Sequence, residues 1–219
     1  MSLQPGILAR GPWTPSQVAY RWGEEFFDPG PALTSEADAA IEALRERGSP
    51  SHDGVSGRLA GFSHSAAGLE LEIQPVRWSL RLLDGACQSM AALCVTRDAQ
   101  GRWLAGRRAP WLASWAGRWA LGAGGAVDLA ESPVHTLTRE LDEEWGVAPE
   151  SLSIEALVCL PTGLVLLVGQ ARLAEGVEVV REDEHDAHAW WPAEIADWPE
   201  EADEPLRRMA SLLIASGGK

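Results

Sequence analysis

The most constraining feature of the sequence is an acidic helix signal between Gly124 and Val147, in the stretch GGAVDLAESPVHTLTRELDEEWGV. Ser132 is a favourable N-cap, and Pro133 suits the first helical position because its fixed φ angle is already helical. Gly146 is placed to end the helix in a left-handed conformation. These signals therefore predict one helix between Pro133 and Gly146.

The residues inside this predicted helix divide into an apolar side and an acidic side. The apolar residues recur at spacings of three and four, which places them on one stripe: Val134, Leu137, Leu141 and Trp145. Glu143 and Glu144 follow Glu140 by three and four positions, so the three carboxylates share the opposite side. The pattern predicts a helix that buries one face and presents three carboxylates on the other.

A glycine pair, Gly124-Gly125, precedes this helix. Glycine lets the backbone approach a ligand closely, and the backbone groups of such a loop can contribute to a phosphate–metal site. The alternative interpretation is a solvated helix face, which is the usual fate of a charge run. Three carboxylates on one face, a tight loop beside them and a well-capped helix together favour a bound cation.

Composition and charge exclude two classes of partner. The chain of 219 residues has a formal net charge of −14, which argues against nucleic-acid polymers because these need basic faces to neutralise their phosphates. A small phosphorylated ligand is still compatible, since acidic residues can recruit the metal ions that hold it. No apolar run approaches the roughly 20 residues of a membrane span, so we expect no membrane partner.

Cysteine usage and the first residues bear on the cellular compartment. Cys87, Cys94 and Cys159 form no CxxC pair and no zinc pattern, and we interpret them as small buried apolar residues. An odd number of cysteines without a disulfide framework suits a reducing compartment. The chain does not start with basic residues followed by an apolar stretch, so we expect no signal peptide. We therefore predict a cytoplasmic protein.

Two zones follow each other along the chain. Residues 1–86 are rich in Pro, Gly and Ser; they contain a helix signal that starts at Thr34 or Ser35 and ends at Gly48, followed by two short strand patterns. Residues 87–219 contain a hairpin pattern, the acidic helix, three further strand patterns and a final amphipathic helix. We therefore predict an N-terminal accessory region over 1–86 and a second domain over 87–219.

The acidic segment resembles the Nudix box, whose pattern is G-x5-E-x7-R-E-U-x-E-E-x-G-U with U aliphatic. Every constrained position is matched: Gly125, Glu131, Arg139, Glu140, Leu141, Glu143, Glu144, Gly146 and Val147. Two neighbours depart from frequent family usage, since Ala123 stands where many members have Pro and Ala130 where many have Gly. The resemblance implies an α+β fold: an α/β/α sandwich around a mixed β-sheet, preceded here by the accessory region.

The resemblance also implies a hydrolase that cleaves the pyrophosphate of a nucleoside diphosphate linked to another moiety. Mg²⁺ or Mn²⁺ is needed, because the anionic pyrophosphate repels both a water nucleophile and a carboxylate. By resemblance, Glu143 and Glu144 are metal ligands and Glu140 is a further ligand or the base that takes the water proton. The Gly124 carbonyl is an extra ligand, and Arg139 joins the catalytic group by orienting the carboxylates.

Candidates outside the helix are less constrained. The loop REDEHD after the box could supply a further metal ligand, and we choose Glu184. Arg107 could hold phosphate oxygens and Trp119 could stack on a base or sugar, beside Gly125 of the loop; surface charge and core packing are the alternatives. His185 in the acidic loop could assist proton transfer, although a solvated surface histidine is the more ordinary interpretation.

The substrate is not named by the sequence, because recognition lies outside the box. A nucleotide sugar is the first candidate, since SPSHDGVSGRL in the N-terminal region resembles a segment that precedes the Nudix domain in some nucleotide-sugar pyrophosphatases. The alternatives are a pyrophosphohydrolase that sanitises nucleoside triphosphates, an isopentenyl diphosphate isomerase, whose cysteine motif we do not find, and a non-catalytic ligand sensor, which would typically lose box glutamates. We expect residues 1–86 to shape substrate choice, or else to form the arm of a homodimer.

Overall fold

The computed structural model describes residues 3–49, 53–112 and 114–217, which form two β-sheets and three α-helices. The strands are β1 (Gly6–Trp13), β2 (Val18–Trp22), β3 (Val55–Ser65), β4 (Gly68–Arg77), β5 (Met90–Arg97), β6 (Trp103–Arg108), β7 (Trp119–Leu121), β8 (Ala123–Ala126), β9 (Ser151–Cys159), β10 (Val165–Arg172) and β11 (His185–Trp191). The helices are α1 (Pro31–Glu46), α2 (Pro133–Trp145) and α3 (Glu204–Gly217), with short 3-10 helices at Pro15–Gln17, Trp78–Leu82 and Ile195–Asp197.

The larger sheet is mixed and separates two apolar cores. Its strand order is β1-β9-β10-β5-β6-β11, with β7 paired to β6 and β8 paired to β5. β5 and β10 are parallel, and the other pairs are antiparallel. Along β5, Ala92 and Cys94 face one core whereas Ala91 and Val95 face the other, because successive side chains of a strand point to opposite faces.

Helices α2 and α3 cover opposite faces of this sheet. α2 buries Leu137, Leu141 and Trp145 in the first core. α3 buries Ala210 and Leu213 in the second. The prediction of an α/β/α sandwich around a mixed sheet is therefore confirmed.

The boundaries of α2 confirm the helix predicted from local signals. The helix begins at Pro133, and Ser132 before it is extended, although its side chain makes no capping hydrogen bond. The helix ends at Trp145, and Gly146 adopts φ 65° and ψ 28°, a left-handed conformation that glycine adopts without strain. The acidic face is thus carried on a well-defined helix.

The first helix begins earlier than predicted. We expected a start at Thr34 or Ser35, but α1 starts at Pro31 and ends at Glu46. Gly30 precedes it with φ 79°, and Pro31 stands at the first helical position. The N–H of a residue at this position has no partner within the helix, so proline loses nothing by lacking one. The start signal Gly30-Pro31 therefore determines where the helix begins, and the later pair Thr34-Ser35 lies inside it.

Residues before 87 share a sheet and a core with residues after 87. β1 pairs antiparallel with β9 and forms an edge of the larger sheet. β2, β4 and β3 form the smaller sheet, whose Leu59, Leu71 and Ile73 lie in the same core as α2. α1 packs on a third cluster that contains Leu80 and Cys87. The division at residue 86 stays a prediction, and the structure adds that the two zones are packed together.

Two compositional expectations can be compared with the structure. Cys87, Cys94 and Cys159 are free and buried, which agrees with their interpretation as small apolar residues. None of the described helices is long and apolar enough to cross a membrane. Residues 50–52 of the segment SPSHDGVSGRL lie outside the described residues.

Candidate active site

The three carboxylates of α2 lie in three different environments. The side chain of Glu143 is 57% exposed, that of Glu140 is 12% exposed and that of Glu144 is 4% exposed. The prediction that all three lie on an open face is therefore wrong for Glu144. It is covered because β8 packs against the last turn of the helix, where the Gly124 N–H donates to Glu144. A helical pattern gives the direction of a side chain but does not show what packs over it.

Glu144 is a buried carboxylate with one oxygen bound and one oxygen free. The Gly124 N–H donates to Oε1 at 2.8 Å. Oε2 is buried and has no hydrogen-bond partner among the described residues, and the nearest ring nitrogen, Nε2 of His185, is 3.6 Å away. Burial raises the pKa of Glu144 to about 8, and the negative charges of Glu140 and Glu184 add to this shift. At neutral pH this position favours a proton or a cation.

Glu140 lies directly over the second glycine of the loop. A Cβ added to Gly125 would lie 2.0 Å from Glu140 Oε1, so glycine leaves the room that this carboxylate occupies. Burial raises the pKa of Glu140 to about 7, although Arg139 at 2.7 Å from Oε1 opposes the shift. The glycine pair thus has two roles, because Gly124 donates to one carboxylate and Gly125 makes space for the other.

Arg139 connects the loop before α2 with the helix itself. Its Nε donates to Glu131 Oε1 at 2.8 Å, and its Nη1 donates to Glu143 Oε2 at 2.7 Å. Burial alone would raise the pKa of Glu131, but hydrogen bonds from Arg139 and Thr136 lower it to about 2. The hydrogen bond to Glu131 in turn raises the pKa of Arg139. Arg139 and Glu131 are therefore both charged at neutral pH, and their hydrogen bond fixes the loop against the helix.

The acidic loop between β10 and β11 runs along the C-terminal end of α2. The Glu182 N–H donates to the Glu144 carbonyl at 3.2 Å, and the Ala109 N–H donates to the Glu184 carbonyl at 2.8 Å. The Glu184 carboxylate is 44% exposed and 4.0 Å from Arg108 Nη2. Its charge contributes to the raised pKa values of Glu140 and Glu144. The structure therefore brings Glu184 close to the box.

Arg107 and Trp119 are not brought to the box carboxylates. Trp119 packs against the core on the α3 side of the sheet, where its ring lies 5.5 Å from that of Trp191. Arg107 is paired with Trp119 across β6 and β7, and its Nε donates to Asp186 at 2.6 Å. By strand alternation it shares the side of Trp103, which lies in the same α3-side core. Neither side chain is on the α2 face.

His185 was interpreted as an ordinary surface residue, and this is wrong. It is 1% exposed, and its ring lies 4.5 Å from the Trp145 ring. Burial lowers the pKa of His185 to about 4, with Arg108 and Arg181 adding to the shift. A register irregularity between His185 and Ala187 turns the histidine inward, and no sequence signal indicates such an irregularity.

Arg81 is a second residue that the sequence did not single out. It lies in the 3-10 helix Trp78–Leu82 and is partly buried, with its guanidinium carbon 5.4 Å from the Trp78 ring. Burial lowers its pKa, the positive charge of Arg108 lowers it further, and the negative charge of Glu140 opposes both. Within the part of the chain that the structure describes, Arg81 forms no ion pair. A cation from the N-terminal region is therefore available beside the box.

The donor set suits a divalent cation that is completed by a ligand. Among residues 3–49, 53–112 and 114–217, no three His, Cys, Asp or Glu side chains are gathered into a full metal cage. Mg²⁺ does not need one, since it often takes one or two carboxylates together with waters and substrate phosphate oxygens. The partnerless oxygen of Glu144 and the neighbouring Glu140 meet this requirement.

The chain was compared with models of known protein families and with known proteins. A family model described as the NUDIX domain matches residues 88–213, which is more than half of the chain. No curated protein matches the chain.

Several solved structures are similar to parts of the chain. A MutT protein from Methanosarcina mazei Go1 is 21% identical with a TM-score of 0.47, over 60% of this chain and 96% of that one. A Nudix hydrolase from M. smegmatis, RenU, is 25% identical with a TM-score of 0.45, over 58% of this chain and 87% of that one. An Ap4A hydrolase from C. elegans is 23% identical with a TM-score of 0.45, over 57% and 93%.

Proposed function

The chain belongs to the Nudix family and is a pyrophosphohydrolase, and from this premise we propose that it cleaves the pyrophosphate of a nucleoside diphosphate linked to another moiety. The observation that carries the proposal is the buried Glu144 carboxylate. One of its oxygens is fixed by a backbone N–H, and the other has no partner among the described residues. A buried carboxylate of this kind calls for a cation.

We assign the cation to Mg²⁺ or Mn²⁺, which would neutralise the pyrophosphate and activate water when bound. Glu144 and Glu140 would hold it from the helix, with the Gly124 carbonyl beside them. The exposed Glu143 and the half-exposed Glu184 would lie at the rim. Glu140 could instead accept the water proton, since a pKa near the working pH suits a general base.

Arg139 has a supporting part in this proposal. Its hydrogen bonds to Glu131 and Glu143 and its ion pair with Glu140 hold the loop and the helix in one arrangement. A carboxylate that is braced from behind keeps its oxygens directed at the ligand. Arg139 is therefore an orienting residue, and it does not itself touch the substrate.

We propose that two arginines bind the substrate phosphates. Arg108 is largely buried and lies 4.0 Å from Glu184, and Arg81 is close enough to Arg108 and Glu140 for their charges to affect it. Guanidinium groups bind phosphate oxygens by paired hydrogen bonds. We therefore transfer the phosphate-binding role from Arg107 to Arg81 and Arg108. A nucleotide sugar remains our first candidate substrate.

The test is a hydrolysis assay of the purified chain with three substrate groups: nucleotide sugars, dinucleoside polyphosphates and nucleoside triphosphates. Each is incubated with Mg²⁺, with Mn²⁺ or with EDTA, and the products are separated by ion-exchange chromatography. We expect a nucleoside monophosphate and the phosphorylated second moiety, and we expect EDTA to abolish turnover. Pyrophosphate release from a triphosphate would instead indicate a sanitising enzyme, and binding without turnover would indicate a sensor.

The variant Glu144→Gln tests the assignment of the cation site. Glutamine keeps the shape and accepts the Gly124 N–H but cannot carry charge, so we expect kcat to fall about 1,000-fold or more. Because burial raises the pKa of Glu144 to about 8, the neutral amide should not lower the melting temperature of the metal-free protein. Glu36→Gln, at an exposed position of α1, is the matched control and should behave as wild type. A Glu144→Gln variant with near wild-type turnover would contradict the site.

A further inference from the structure

His185 occupies an unusual position for a polar ring. It is the first residue of β11 and only 1% exposed, and neither ring nitrogen has a hydrogen-bond partner among the described residues. A buried polar atom without a partner costs about 1–3 kcal/mol. Such atoms are rare in folded proteins, and each one calls for a structural or functional explanation.

The Glu144 oxygen that faces His185 also lacks a hydrogen-bond partner. Oε2 of Glu144 is buried and has no hydrogen-bond partner in the described part of the chain, and it lies 3.6 Å from Nε2 of His185. A typical N–H···O hydrogen bond measures about 2.9 Å, so a small approach would satisfy both atoms at once. Oε1 of the same carboxylate is already held by the Gly124 N–H.

Neighbouring residues confine the His185 ring, so Nε2 can move closer to Glu144 Oε2 in one direction. The Trp145 ring lies 4.5 Å away with an interplanar angle of 32°. Gly106 is in contact on another side, because a Cβ added there would lie 2.3 Å from Cδ2 of His185. Arg181 donates to the His185 carbonyl and anchors the backbone at the start of the strand. The ring therefore occupies a slot that directs it towards Glu144.

We propose that His185 is a positioning residue whose Nε2–H donates to Oε2 of Glu144 and thereby fixes the carboxylate that faces the divalent cation. The inference rests on the proposed function. Each carboxylate oxygen still has a lone pair for the cation after accepting one hydrogen bond. A neutral imidazole carries one N–H, so the role requires no protonation change. Hydrogen-bond partners of metal ligands commonly affect metal affinity about 10- to 100-fold.

Three substitutions at this position separate hydrogen bonding from packing. His185→Phe keeps a flat ring against Trp145 and removes the donor. His185→Gln places an amide nitrogen near the position of Nε2, whereas His185→Asn carries the same amide on a shorter side chain that does not reach Glu144. His188→Phe is the control, because His188 is exposed on the same strand and also contacts the Trp145 ring, at 5.8 Å.

The readout is the Mn²⁺ dissociation constant of the substrate-free protein, measured by electron paramagnetic resonance of free Mn²⁺, together with kcat and KM. We expect His185→Phe and His185→Asn to weaken Mn²⁺ binding about 10- to 100-fold and to lower kcat with little change in KM. His185→Gln should recover most of both losses, and His188→Phe should bind Mn²⁺ as wild type does.

Equal Mn²⁺ affinity in the Gln and Asn variants would overturn the proposal, and this comparison stands even when the Phe variant does not fold. Wild-type affinity in a folded Phe variant would overturn it as well. A different result would overturn the proposed function. If the wild-type protein binds no Mn²⁺ and hydrolyses none of the substrates, both the proposed function and the role of His185 are wrong. If the wild type is active and the variants bind Mn²⁺ as it does, only the role of His185 is wrong.

Discussion

At the scale of single residues, the buried Glu144 and the half-buried Glu131 have pKa values that are shifted in opposite directions. Burial raises the pKa of Glu144 to about 8. Burial alone would also raise the pKa of Glu131, but donors from Arg139, Thr136 and the Asp128 N–H outweigh this effect and lower it to about 2. Glu131 is therefore charged under all ordinary conditions, whereas Glu144 is mostly neutral at neutral pH until a cation is near. Glu131 therefore supports the site through its hydrogen bond to Arg139, and Glu144 is the candidate cation ligand.

The pH dependence of stability tests this division. The ionised Glu131 should stabilise the folded chain fully above its ordinary pKa of 4.5, and this contribution should be lost as the pH falls towards the folded-state value of about 2. The shift corresponds to about 3 kcal/mol at neutral pH. We expect Glu131→Gln to lose that amount at pH 7 and less than half of it at pH 3, as measured by urea unfolding. A loss of equal size at both pH values would contradict the assigned shift.

At the scale of elements, the sequence predicted what local signals encode. The caps of α2 at Ser132, Pro133 and Gly146 are contiguous with the helix, so its boundaries were correct. The burial of Glu144 was missed because the covering strand β8 lies about twenty positions earlier in the chain. The inward turn of His185 was missed because it follows from an irregularity in strand pairing. Long-range packing decided both outcomes, and residue spacing does not report it.

The packing of β8 on α2 gives a prediction at this scale. Gly125→Ala should displace Glu140, because the added Cβ would lie 2.0 Å from its Oε1. A displacement of about 1 Å in a catalytic group can lower the rate about 100-fold, and we expect a fall in kcat of that size. Gly23→Ala is the control, since its nearest contact would be an ordinary 3.7 Å. Unchanged kcat in a folded Gly125→Ala protein would show that Glu140 is not held by this contact.

At the scale of the whole molecule, the N-terminal region supports the loop that leads into α2. The Trp22 indole N–H donates to the Glu131 carbonyl at 2.9 Å. The Gly57 N–H donates to the Val127 carbonyl at 2.8 Å, and Ser56 forms a β-bridge with Asp128. These three contacts come from residues that precede the matched family domain, which starts at residue 88. The N-terminal region is therefore in contact with the box itself, and its role in substrate choice stays a prediction.

Arg81 is the side chain through which that role can be measured. It is partly buried, forms no ion pair among the described residues and lies within range of the charges on Glu140 and Arg108. A phosphate oxygen of the substrate would supply the missing anion. Arg81→Met should therefore raise KM for a nucleoside diphosphate derivative about tenfold or more, since it removes ground-state binding. Arg45→Met, on the exposed side of α1, is the control.

Mn²⁺ affinity without substrate distinguishes this effect from damage to the cation site. Removing a positive charge near Glu140 cannot weaken cation binding by electrostatics, so Arg81→Met should bind Mn²⁺ at least as tightly as wild type, whereas loss of the His185 donor should weaken it. Wild-type KM and an unchanged ranking of substrates in Arg81→Met would contradict the role. If size-exclusion chromatography then showed that substitutions in this region convert dimers to monomers, the N-terminal region would be the arm of a homodimer, because its contacts would act on assembly and leave substrate binding unaffected.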